Sequence, residues 1–248
     1  MSGGQIYNYF HKKNLMAKLF LVPNVLSAGD WQNVLPVSVF NVLGEIRYFI
    51  VEDTRTARRF LKQINRDIDI DALTFFELNK FTKPDYLPGF LEPIEQGFNI
   101  GIVSEAGCPG IADPGADIVK IAHRKGIQVV PLVGPSSVLL ALMASGLNGQ
   151  NFAFNGYLPV KPHERTKAIS ALEKKAKTEN QTQIFIETPY RNRQLIADLM
   201  KTCQPSTQLC IAANITGENE FIVTKSVGEW KNTVPDLHKQ PTIFLLGL

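Results

Sequence analysis

The chain has 248 residues, 44% of them hydrophobic, enough to build the cores of one large or two ordinary α/β domains, and its formal net charge of +3 is compatible with RNA contact without demanding it. Cys108, Cys203 and Cys210 form no CxxC pair and are odd in number, which argues against a disulfide framework or a zinc site and for a reducing cytoplasm. No apolar run approaches the roughly 18 residues of a membrane span, and the N-terminus lacks the apolar stretch and small-residue cleavage site of a signal peptide, so a cytoplasmic protein without membrane contact is expected.

Residues 1–16 are polar and aromatic without a period and read as a peripheral extension. A first strand over 18–22 ends in Pro23-Asn24, and a helix-like stretch follows around 34–43. A second strand over 47–51 runs straight into Glu52-Asp53-Thr54-Arg55, where Asp53 or Thr54 caps a helix whose inner face carries Ala57, Phe60, Leu61 and Ile64. A third strand occupies 73–77, and a helix within 85–96 ends at Gly97. The fourth strand, 99–103, is a short apolar run rich in β-branched residues, bracketed by Gly97 and Gly107. A helix over 115–125, opened by Asp113 as N-cap with Pro114 and closed by Gly126, leads to a fifth strand at 127–132. Strand and helix alternating through short loops predict a parallel sheet wound with helices.

Beyond Val133-Gly134-Pro135 the pattern changes. Ser136 or Ser137 caps an apolar helix that runs to Ser145-Gly146, and strands follow at 152–158, 183–187, 209–213, 221–226 and 242–246. Only two substantial helices separate them, a charged one over 163–178 and an amphipathic one over 191–203. Strands with no helix between them imply antiparallel neighbours, hence a mixed sheet. The expected organisation is an N-terminal α/β domain over 1–134 and a C-terminal mixed-sheet α/β domain over 135–248, with a ligand cleft between them.

The segment NIGIVSEAGCPGIADPGA, residues 99–116, is the most distinctive of the chain. Gly107 and Gly110 carry no Cβ, so the backbone there can take positive φ and let a ligand lie against its N–H and C=O groups. Pro109 and Pro114 stiffen the loop. A small-residue loop at the carboxyl end of a strand is where open α/β sheets bind ligands. The chain contains no GxGxxG, no GxxxxGK[ST] and no GxSxG, and His11, His123, His163 and His238 lie far apart without metal-ligand spacing. What remains is a ligand held by backbone, small side chains and a carboxylate, with no metal.

Five ordered motifs, VEDTR at 51–55, IVSEAGCPGIADPG at 102–115, VVPLVGPSS at 129–137, FAFNGYLPVK at 152–161 and FIETPYR at 185–191, resemble the tetrapyrrole methylase superfamily of S-adenosylmethionine-dependent methyltransferases. Within it they are most similar to the branch that methylates cytidine 2'-hydroxyls of small-subunit ribosomal RNA. The resemblance runs from Lys18 to Leu246. It implies two α/β domains with S-adenosylmethionine folded in the cleft between them, a homodimer, and ribosomal RNA or the small ribosomal subunit as partner. It assigns to the cofactor Pro23 after the first strand, Ser104, Glu105, Gly107, Cys108, Gly110 and Ile111 in the principal loop, and the hydroxyl pair Ser136 and Ser137. Ile186 and Glu187, Ala213 and Asn214, and Pro241 and Thr242 match the segments that enclose the adenosine. In this chain SEAGCP stands where the branch carries SDAGTP. Two further functions share the resemblance: methylation of a tetrapyrrole-type small molecule, and a non-catalytic relative that only docks on RNA or a partner.

Glu52, Asp53 and Arg55 follow the second strand at the edge that carries the glycine loop, and two readings of them stand. In one, they cap a helix and begin a solvated basic face with Arg58 and Arg59. In the other they form the catalytic, substrate-facing side, where a carboxylate accepts or orients the proton of a ribose hydroxyl and Arg55 holds a flanking phosphate.

Overall fold

A computed structural model describes residues 17–231 and 233–248; the stretch read as a peripheral extension lies outside the described residues. The chain forms two compact units, one made of residues through Val25 with Asp30–Pro135, the other of Leu26–Gly29 with Ser136–Leu248.

In the first unit, β1 (Leu19–Val22), β2 (Tyr48–Val51), β3 (Thr74–Glu77), β4 (Ile100–Val103) and β5 (Val129–Pro131) form one parallel sheet in the order β3-β2-β4-β1-β5. Its inner strands are apolar on both faces because helices cover both. Phe20, Val22, Phe49, Val51 and Val103 face α1 (Val37–Glu45) and α2 (Thr54–Ile64), whose Val39, Leu43, Ala57, Phe60, Leu61 and Ile64 share their core. Leu19, Ile50, Ile100 and Ile102, one step out of phase, pack on the other face with Leu91, Ile118 and Ala122. Gly101 makes this possible in β4, since a Cβ there would stand 3.2 Å from the fully buried Phe49 ring.

In the second unit, β6 (Phe152–Tyr157), β7 (Thr182–Ile186), β8 (Gln208–Ala213), β9 (Phe221–Ser226) and β10 (Thr242–Gly247) form a mixed sheet in the order β6-β7-β10-β8-β9. Only β6 and β7 run parallel; β10 is antiparallel to both β7 and β8, and β8 to β9. The helix at Ser137–Ser145 packs on one face against Ile184, Cys210, Ala212, Ile243 and Leu245. Those at Pro162–Thr178 and Asn192–Thr202 cover the other, against Phe185, Leu209, Ile211, Phe244 and Leu246. They are joined by a buried pair, Arg165 Nη2 to Asp198 Oδ2 at 2.6 Å, and Arg165 Nη1 also donates to the Val160 carbonyl at 2.7 Å.

The structure corrects the sequence reading in three places. The helix expected within 85–96 is a 3-10 helix over Pro84–Leu91 followed by α3, a single α turn at Glu92–Glu95, because Pro88 and Pro93 lack donors and constrain the residues before them. The fifth strand is shorter than expected, and Pro131 is tolerated because β5 is an edge strand. Asp113 is not an N-cap: α4 (Ala116–Arg124) starts after Gly115, whose φ of 133° lies where side chains rarely go, and the Asp113 carboxylate is left outside the helix. The helices at Ser137–Ser145, Pro162–Thr178 and Asn192–Thr202 are α5, α6 and α7, and Val227–Trp230 is α8.

Candidate active site

Val22 pairs with Val103 and Val103 with Val51, so the residues after them, Pro23, Ser104 and Glu52, leave the sheet side by side at its carboxyl edge. The glycine loop is fixed there by its own polar groups. Asn24 and Gly107 exchange backbone hydrogen bonds of 2.8 and 3.1 Å. The Asn24 amide nitrogen donates to the carbonyls of Ser104 at 2.9 Å and Glu105 at 3.1 Å, and Ser104 Oγ donates to the Gly107 carbonyl at 2.7 Å. Gly107 and Gly110 have φ of 69° and 77°, which only glycine adopts without strain. Cys108 Sγ donates to the Pro135 carbonyl, and burial pushes its thiol pKa up, so it is a packing group and not a thiolate. Pro23 is buried with no room to spare, for a Cβ on Gly134 would lie 2.3 Å from its ring. Ile111 stays 53% exposed. Asn24 was not singled out from sequence, though an amide directly after a strand and its proline was the available signal.

The same edge gathers carboxylates. Glu52 and Asp113 line one cavity with Ser104, Leu78 and Pro114. Partial burial raises the Glu52 pKa, with the negative charges of Glu105 and Asp53 adding to it. Asp113 is pushed up to about 6, by burial first and then by Glu52 and Glu105. Asp53 goes the other way: its Oδ1 accepts the Thr56 N–H at 2.8 Å as the N-cap of α2, and that bond holds its carboxyl below the ordinary range. Thr56 Oγ1 also donates to Glu105 Oε1 at 2.6 Å, tying the first turn of α2 to the glycine loop. Arg55 is exposed on that turn and interacts electrostatically with Asp53. Two carboxyls held above their usual range thus stand beside one held below it, the pattern of groups given different tasks by their surroundings.

In the second unit, Ile186 pairs with Ile243 and Ala213 with Thr242, while the Asn214 N–H donates to the Pro241 carbonyl at 2.9 Å. Ile186, Glu187, Ala213, Asn214, Pro241 and Thr242 therefore meet at one end of the mixed sheet. Glu187 is buried; its Oε1 accepts from the Thr188 N–H at 2.6 Å and from Arg191 at 2.6 and 3.0 Å, and its Oε2 is enclosed without a partner among the described residues. Asn192 repeats the pattern, with Nδ2 donating to the carbonyls of Leu237 and Gln240 and Oδ1 left without a donor among the described residues. A cleft of about 540 Å³ opens at Asn214 and Pro241, lined also by Ser27, Gly217 and Asn219. Ser136 caps α5, accepting the Leu139 N–H, and Ser137 is that helix's first residue. The residues assigned from sequence thus fall into three groups: the edge of the parallel sheet, the end of the mixed sheet, and the start of α5.

The family model for tetrapyrrole (corrin/porphyrin) methylases matches residues 35–231. The chain is 33% identical over 225 residues to a ribosomal RNA small subunit methyltransferase I of Streptococcus pyogenes serotype M6, covering 91% of this chain and 74% of that one. It is 32% identical to the protein of the same name from Escherichia coli O157:H7, over 87% of this chain and 71% of that one. Among solved structures, the methyltransferase CobJ shares the fold at a TM-score of 0.62 and 18% identity, with 93% of this chain and 94% of that chain covered.

Proposed function

The chain belongs to the tetrapyrrole methylase family and is a methyltransferase, and from that premise we propose that it uses S-adenosylmethionine to methylate a ribose 2'-hydroxyl of small-subunit ribosomal RNA. The similarity to ribosomal RNA methyltransferases along nearly the whole chain supports the substrate class. The observation that carries the chemistry is the register of the parallel sheet, which delivers the glycine loop and the Glu52–Asp113 cavity to one edge.

The residues fit the cofactor. The loop over 104–111 presents backbone at positive φ, against which a ligand lies without meeting a Cβ, and the enclosed Glu187 Oε2 is an acceptor awaiting a hydroxyl or amino donor such as adenosine carries. When bound, S-adenosylmethionine would supply a methyl group on a sulfonium centre. The chain's own part is to place the ribose hydroxyl and take its proton. Glu52, with Asp113 on the same cavity wall, accepts or orients that proton; Asp53 holds the start of α2, and Arg55 projects from the same turn to meet a phosphate. Positioning contributes more to such a transfer than proton removal does.

The test is incubation of the purified chain with S-adenosylmethionine and small ribosomal subunits from cells lacking this gene, followed by mass mapping of the RNA. A single new ribose methylation is expected. Cofactor binding without any RNA methylation refutes the substrate, and methylation of a tetrapyrrole instead establishes the small-molecule function.

A further inference from the structure

The loop after β3 is built unlike its neighbours at the same edge. It starts at Leu78, on the wall of the Glu52–Asp113 cavity, and runs Asn79-Lys80-Phe81-Thr82-Lys83 into the 3-10 helix at Pro84–Leu91. Its backbone is closed on itself. Asn79 N–H donates to Thr82 Oγ1 at 3.0 Å, Thr82 N–H to the Asn79 carbonyl at 2.9 Å, Phe81 N–H to Asn79 Oδ1 at 3.0 Å, and Thr82 Oγ1 to the Glu77 carbonyl at 3.0 Å. A second tie reaches the active edge: Thr54 Oγ1, at the start of α2, donates to Glu77 Oε1 at 2.8 Å. This ordered turn holds Phe81 80% exposed, and Tyr86 just beyond it is 62% exposed. Lys80 Nζ lies 5.0 Å from the Phe81 ring centroid, and neither Lys80 nor Lys83 is in an ion pair among the described residues.

One exposed apolar residue needs no explanation. Two exposed aromatic rings, one on this hydrogen-bonded turn and one on the 3-10 helix that follows, interleaved with lysines free of ion pairs among the described residues and close to the Glu52–Asp113 cavity, match what unpaired nucleotides require: a face to stack on and a charge for the phosphate between. The cavity itself, lined by Glu52 and Asp113 with the charge of Glu105 acting on both, repels phosphates, so a polyanion has to be held by contacts beside it and by forces other than net charge. We infer that Phe81 and Tyr86 form a stacking platform for unpaired bases flanking the reacting nucleotide, with Lys80 and Lys83 meeting the phosphates between them; this rests on the RNA-methylating reading above. Three residues of chain from Leu78 to Phe81 span at most about 10 Å, and stacked bases are spaced about 3.4 Å apart. Phe81 therefore serves a base within roughly three positions of the target, and Tyr86, farther along the chain, one beyond it.

The test uses the whole chain saturated with S-adenosylhomocysteine and a fluorescent unstructured oligoribonucleotide, alone or annealed to its complement. Phe81→Ala and Tyr86→Ala should each weaken single-strand binding about tenfold, leave duplex binding nearly unchanged, and retain the wild-type cofactor-induced rise in Tm; Phe81→Trp should keep wild-type affinity. Lys80→Ala or Lys83→Ala should lower the slope of log affinity against log salt by about 0.7 each. Unchanged single-strand affinity in both alanine variants, or an equal loss for duplex, overturns the platform. Methyl transfer to small ribosomal subunits, run in parallel, tells the two failures apart. A wild type that methylates, with the same KM in both alanine variants, sinks the platform alone, whereas a wild type that never methylates RNA removes the function on which it rests.

Discussion

Replacing Asp113 by asparagine should make the protein more stable at neutral pH and leave it unchanged in acid. Asp113 is ordinary at 3.8 in an unfolded chain and stands at about 6 in the fold, raised by burial and by Glu52 and Glu105. A carboxyl whose folded pKa is raised binds its proton more tightly in the native state, so its contribution is intact below the unfolded value and is lost as pH climbs through 3.8 toward 6. For a fully buried group that difference would be worth on the order of 3 kcal/mol. Asp113 is only half-buried, and solvent screening reduces it to about 1 kcal/mol. The Asp113→Asn variant, isosteric and uncharged, should melt roughly 2–4 °C above wild type at pH 7.5. It should match wild type at pH 3.5, the gap opening between pH 4 and 6. Glu52→Gln, which removes one of the two charges acting on Asp113, should shift that window to lower pH. Thermal denaturation of the three proteins across pH 3.5 to 8 is the assay. A gap that is constant with pH, or an Asp113→Asn protein less stable at pH 7.5, would refute the claim that Asp113 is a strained carboxylate.

Glu52→Gln and Arg55→Ala should each lower methyl transfer at least about tenfold, on the order of 1.4 kcal/mol of barrier, while the Kd for cofactor stays within twofold of wild type by calorimetry; affinity and turnover falling together would remove both residues from the substrate side. Gly107→Val should abolish the cofactor-induced rise in Tm, since φ of 69° is closed to a β-branched residue and the Asn24 bridge depends on it. Gly134→Ala, whose Cβ would sit 2.3 Å from the Pro23 ring, should cost more than about 2 kcal/mol in urea denaturation, whereas Gly44→Ala, in α1 with nothing within 4 Å, should gain about 0.5 kcal/mol. Cys108→Ser should keep turnover, because its thiol is a half-buried donor to a carbonyl, and complete loss in a folded variant would indicate a covalent role.

Each of the ten strands was legible because it is a largely apolar, β-branched or aromatic run set off by glycine, proline or polar residues, and the mixed sheet was legible in the strands that follow one another without a substantial helix between them. Local signals that compete were not. Pro88 and Pro93 turned a helical period into a 3-10 segment. Leu26–Gly29 joins the second unit, where Ser27 Oγ donates to the Ile215 carbonyl at 3.0 Å, a bond spanning most of the chain that no periodicity announces. α8 carries a capping box, Ser226 with Glu229, but a single turn is too short for its residues to show a helical period.

The candidate site was legible to a different depth, for a physical reason. Glycines at positive φ and prolines are constraints on backbone, and backbone constraints are local, so the loop over 104–111 could be placed from its own residues. A carboxylate's role is set by what surrounds it. Asp53 and Asp113 look alike in sequence, each one or two residues before a helix, yet one accepts the Thr56 N–H and stays an anion while the other is carried past Gly115 into the company of Glu52 and Glu105. Glu187 makes the same point more sharply. Leaving its Oε2 and Asn192 Oδ1 buried without donors costs on the order of 1–3 kcal/mol each, a large share of the roughly 5–15 kcal/mol that holds a domain folded. Both flank the strand ends where the mixed sheet gathers its predicted cofactor residues. Among the described residues these two acceptors lack donors while Arg165, Glu173 and Thr207 in the same unit are satisfied, which is why the proposed cofactor site includes this end of the sheet: a ligand's donors there would restore the lost stability.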